Sequence, residues 1–106
     1  MTTFDDKEKA AENKYAHDKE LEFRIHARRN KLLGLWAAAR MNLSGSPAED
    51  YAKTLVTADM GANNDEIIIQ RVKSDFSAKG APVSDQDIRA EIHRVTQVAR
   101  EQIAGE

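Results

Sequence analysis

Four basic side chains and a histidine crowd into the stretch RIHARRNK (24–31): Arg24, Arg28, Arg29, Lys31 and His26. On a helix, such side chains offer charge-assisted donors to phosphate oxygens. The run is only about two turns long. It brings no stacking aromatic beyond Phe23, and the residues before it are balanced or acidic. As structure, the same residues form a solvated helix face that pairs with Glu20, Glu22 and acids of other helices. Flanking charge favours that reading. Weak nucleotide or phosphate contact at Arg24, Arg28, Arg29 and Lys31 is the functional alternative.

Other chemistry is sparse. The sequence has no Gly-rich phosphate loop, no Gly-x-Ser-x-Gly elbow and no His-Glu-x-x-His. His17, His26 and His93 stand far apart and read as surface histidines rather than metal ligands. DMGANNDE (59–66) is rich in oxygen ligands but lacks the spacing of a calcium loop, so it reads as a turn and helix cap. Without cysteine there is no disulfide or thiolate site, and a reducing compartment is compatible. No catalytic residue, metal or cofactor is expected, and the chain does not read as an enzyme.

Elements must position whatever these residues do. The chain has 106 residues, enough for one domain with one core. Hydrophobic residues make up 41% and charged residues 32%, and the formal net charge is −2. Such a near balance argues against a general nucleic-acid or membrane-surface binder. No apolar run approaches the ~20 residues that span a bilayer, and the start MTTFDD has no signal-peptide core. A cytoplasmic protein without direct membrane insertion is expected.

Three breaks, NLSGSP (42–47), MGANN (60–64) and KGAPVS (79–84), hold three of the five glycines and both prolines. Between them the spacing predicts four helices. The first runs from about Lys19 to Met41, with Leu21, Ile25, Leu32, Trp36 and Ala39 as its stripe, Arg28 filling one slot, and Leu33 and Leu35 widening it beyond one narrow face. Within it, LLGLWAAA (32–39) reads as the central core helix rather than a docking patch, with Gly34 permitting close helix approach. The second runs from about Pro47 to Met60. Ser46 is its expected N-cap, with Glu49 completing a capping box, and Tyr51, Ala52, Leu55, Val56 and Ala58 form its apolar side. Gly61 stops it. The third runs from about Asp65 to Lys79, capped by Asn64, with Ile68, Ile69, Val72 and Phe76 inward. The fourth runs from about Ser84 to Gln102, with Ile88, Ile92, Val95, Ala99 and Ile103 inward. The predicted fold is all-α, a small four-helix bundle over 19–106.

Residues 1–18 stand outside that bundle. Phe4 to Glu20 has no Gly or Pro and is rich in Ala, Glu and Lys, so it is helix-prone. Phe4, Ala11 and Tyr15 recur at i, i+7, i+11, a thin seam with little to bury. An isolated helix of this length is marginal in water. One reading is a frayed tail. The other is a mobile arm that folds when its seam enters a groove on another protein, with Phe4 and Tyr15 as anchors and Lys7, Lys9 and Lys14 making charged contacts.

FDD near the start, YAHDKEL (15–21), ARRNKLLGLWAA (27–38) and YAKTLV (51–56) together resemble the alphaproteobacterial zeta subunit, a family that includes inhibitors of the F-type ATP synthase. The resemblance covers the whole chain and is densest over 4–56. It implies a four-helix bundle with a mobile N-terminal segment that enters the catalytic interface between alpha and beta subunits, near gamma, and blocks rotation in the hydrolytic direction. Carried over, Thr2, Thr3, Phe4, Asp5, Asp6, Lys7, Lys9, Ala11, Lys14 and Tyr15 would contact the partner. The protein would then sit at the inner membrane only through the synthase. This sequence departs from the inhibitory members' pattern at Lys7, where an Arg is expected, and at Ala11 and Tyr15, where Phe is expected.

Overall fold

Helical spacing of Ile, Val, Leu and Phe, punctuated by Gly and Pro, leaves these segments one way to hide their apolar sides: as helices packed on each other. The computed structural model describes the backbone of residues 3–58 and 65–106 and the side chains of residues 18–58 and 65–106. It contains α1 (Thr3–Arg40), α2 (Ser46–Ala58), α3 (Asp65–Ala78) and α4 (Asp85–Ala104), with no strand among the described residues. The Asn64 cap and the Gly61 stop fall outside the described residues, as do the side chains of residues 1–17 in the expected mobile arm. No helix among the described residues is long and apolar enough to cross a membrane.

One core is shared by all four helices. Leu33 and Ala37 of α1 and Met41 just past its end meet Leu55 of α2, Ile68, Ile69, Val72 and Phe76 of α3, and Ile88, Ile92 and Val95 of α4. Trp36 packs against this cluster, edge-on to Phe76 with ring centroids 5.8 Å apart. Arg40 lies over its other side, 5.0 Å from the ring centre. The inward sets expected for α3 and α4 are the buried ones. In α2, Ala52 and Leu55 are buried as expected, Ala48 joins them, and Ala58 is exposed.

The helix ends show the chemistry that closes them. α1 finishes with Asn42 at φ 63°, where the Leu43 N–H reaches the Ala38 carbonyl at 2.8 Å. α3 finishes the same way at Gly80, φ 71°, with the Ala81 N–H on the Phe76 carbonyl at 3.0 Å. Both are left-handed closures that satisfy otherwise orphaned carbonyls. Ser84 caps α4 as expected, its hydroxyl accepting from the Asp87 N–H at 3.1 Å. The cap expected at Ser46 is corrected by one residue. Ser46 is already helical, and the Gly45 carbonyl accepts the first bond, from the Glu49 N–H at 3.1 Å. Gly45 has φ 61°, a conformation that a side chain would strain.

The predicted stripe of α1 is also corrected. Leu21, Ile25, Leu32 and Trp36 are half-buried flanks and Ala39 is exposed, whereas Arg29, Asn30, Gly34, Ala37, Ala38 and Met41 are buried; of the two residues expected to widen the stripe, Leu33 is buried and Leu35 half-buried. The buried face is turned by about one residue, roughly 100°, from the predicted one. The cause is the small set Gly34, Ala37 and Ala38. A Cβ on Gly34 would lie 2.6 Å from the Ala52 Cα, so α2 seats against bare backbone there.

Candidate functional site

That turn of α1 carries Arg29 inward, to 6% exposure beside Asn30 at 1%. The solvated-face reading of RIHARRNK therefore fails at this residue. A buried guanidinium needs partners, and Arg29 has them. Its Nε and Nη2 donate to Asn30 Oδ1 at 3.1 and 2.9 Å, and Nη1 donates to Asp65 Oδ1 at 2.7 Å. His26 Nε2 lies 3.2 Å from Nη2. Arginine has only donors, so that contact is a hydrogen bond when His26 Nε2 is unprotonated.

Arg29 forms the floor of a cleft of about 560 Å³ between α1, α3 and α4. Its rim is made of crossed ion pairs. Arg100 of α4 reaches Glu22 of α1 at 3.1 Å, and Arg89 of α4 reaches Glu66 of α3 at 2.7 Å. Three arginines thus face three carboxylates, Glu22, Asp65 and Glu66, and the lining is electrically balanced. An entering phosphate would have to displace carboxylates from guanidinium groups. The pairs' evident effect is mechanical: they fasten the middle of α1, from Glu22 to Arg29, to α3 and α4.

The four basic residues singled out in the sequence do not converge. Arg24 and Arg28 point to the end of α4, where both pair with Glu106 and Arg28 also donates to Gln102 Oε1 at 2.8 Å. Arg29 lines the cleft, and Lys31 is exposed. Sequence reasoning passed over Arg89 and Arg100. They flank the apolar stripe of α4 eleven residues apart, a spacing that returns to one helix face, and that spacing was the available signal.

Among the described residues no group of His, Asp and Glu could hold a metal ion. His93 is exposed on α4, far along the chain from His26. The expected partner-contacting residues of the arm, Thr2 to Tyr15, lie outside the described side chains.

A family model described as ATPase inhibitor subunit zeta matches residues 1–102. A protein solved in solution by NMR is similar in fold with a TM-score of 0.71 and 33% sequence identity, over 80% of this chain and 96% of that one. Among curated proteins, none matches.

Proposed function

The chain belongs to the ATPase inhibitor subunit zeta family, and from that premise we propose that it restrains ATP hydrolysis by the catalytic sector of the F-type ATP synthase. The family match begins at residue 1, so it takes in the arm as well as the bundle. That single observation carries the reading. The proposed division of labour is an effector segment, residues 1–18, and an anchor, residues 19–106.

In this reading the arm enters the interface of alpha and beta subunits near gamma, and Phe4 and Tyr15 seat in apolar recesses. Binding would fix a helix that is marginal alone, so part of the interface energy offsets the ordering of the arm. Inhibition is a block of motion. No bond is made or broken by this chain, and the hydrolytic groups belong to the partner. The ion-paired base of α1 supports the reading, because a wedge transmits force only if its root is held. Arg29, Glu22, Arg24 and Arg28 hold that root against α3 and α4.

The test is ATP hydrolysis by the cognate catalytic sector stripped of this subunit. The full chain should inhibit, and a chain beginning at Lys19 should not, while far-ultraviolet dichroism shows that the truncated bundle stays helical. Equal inhibition by both would remove the arm from the mechanism. Absence of inhibition by the full chain would remove the function.

A further inference from the structure

Only two large apolar side chains are exposed among the described residues: Phe23 at 62% and Ile67 at 42%. Phe23 occupies a defined place on α1. It stands 7, 11, 14 and 18 residues before Asn30, Gly34, Ala37 and Met41, which are all buried. Those separations return to one side of a helix. Phe23 therefore continues the face that, further along, packs on α2 and the core.

Among the described residues, that face outruns its cover. α2 turns back along α1 and touches Gly34 with Ala52. From Ala52 the described helix runs to Ala58, about 9 Å at 1.5 Å per residue. Its end is thus level with about residue 28 of α1, and Phe23 stands another ~7 Å beyond, toward the arm. Ala27, small and half-buried, lies one turn further on and leaves room beside the ring.

We propose that Phe23 is an apolar anchor through which α1 docks in a nonpolar pocket on the catalytic sector, so that the partner takes over the helix face where α2 stops covering it. This rests on the proposed function and extends its contact surface past residue 18, onto the bundle itself. Lone exposed apolar residues are ordinary on protein surfaces. Here the residue is aromatic, in register with a packed face, and on the same helix as the arm, only five residues past its end. Aromatic side chains of this kind make up the dry centres of interfaces. Exposed Lys19 and Glu20 beside it supply a polar rim.

The experiment uses the full chain and the stripped catalytic sector, with affinity measured directly and inhibition measured in parallel. Phe23→Ala should raise the Kd at least tenfold with an unchanged melting temperature, and Phe23→Leu should retain most of the affinity. Wild-type affinity in Phe23→Ala would overturn the anchor and leave the proposed function standing. A wild-type chain that binds but does not inhibit would overturn the proposed function alone, with Phe23 still read from the Kd. A wild-type chain that does not bind would overturn both.

Discussion

Gly34 is where two helices come closest, and its missing side chain decides how the bundle closes. Replacing it with Ala would gain about 1 kcal/mol of helix propensity but would put a methyl 2.6 Å from the Ala52 Cα. The obstacle is backbone, which cannot swing aside, so α2 must shift. Overpacking of this kind typically costs about 1–3 kcal/mol. Gly34→Ala should therefore lower the urea midpoint of unfolding, against the trend for glycine-to-alanine changes in helices, and a raised midpoint would refute the close approach. Tyr51 makes a second residue-scale case. Burial, and then its hydrogen bond to Asp75 Oδ2 at 2.8 Å, push its phenol well above the ordinary tyrosine range. The folded state thus holds the proton more tightly than the unfolded one. The linked stability is complete below the unfolded pKa of about 10 and is lost as pH rises above it. Tyr51→Phe should cost about 1 kcal/mol at pH 7. The gap between wild type and variant should shrink above pH 10 in a pH series of chemical denaturation, and a gap that widens there would contradict the assignment.

At the scale of elements, α3 and α4 were legible and α1 was only half so. Ile68, Val72 and Phe76, and Ile88, Ile92, Val95, Ala99 and Ile103, are apolar residues at helical spacing with polar residues around them, so spacing alone selects the buried face. In α1 the large side chains Leu32 and Trp36 sit on the shoulders, while Gly34, Ala37 and Ala38 make the contact with little hydropathy to announce it. Arg29 was legible as a charge but not as a buried one, because its partner Asp65 is 36 residues away in sequence. Arg89 and Arg100 escaped notice for the same reason: their carboxylates are on other helices. These pairs should differ in weight. Arg29→Ala removes a buried guanidinium, opens space and strips Asn30 of a donor, which should cost about 2–3 kcal/mol. Glu106→Gln weakens exposed pairs with Arg24 and Arg28 and should cost under about 1 kcal/mol. Urea titrations of the two variants in low and high salt would check this, with only the second effect fading as salt rises. Equal losses would mean that the clasp at Glu106 matters as much as the buried arginine.

For the whole molecule, the proposed inhibition raises the question of how an arm so poor in apolar side chains would hold its partner. Its net charge from residue 4 to 20 is about −2, since four lysines face six acids, so attraction to an acidic target is not the source of affinity. In the proposed arm the seam residues Phe4, Ala11 and Tyr15 would be the remaining source, and Ala11 stands where the resemblance to inhibitory members leads to the expectation of Phe. A buried aromatic at an interface centre is worth about 2 kcal/mol or more, and each ~1.4 kcal/mol is tenfold in affinity. Ala11→Phe should therefore lower the concentration for half-inhibition of ATP hydrolysis by roughly thirtyfold. It should leave the melting temperature of the bundle unchanged, because position 11 lies in the proposed arm rather than in the core of 19–106. Ala11→Ser, with no gain in apolar area, should leave inhibition near the wild-type level. If Ala11→Phe gained nothing while Phe23→Ala lost affinity, the weight of binding would lie at the root of the helix instead of along its tip. The chain would then hold its partner where the bundle ends rather than where the arm begins.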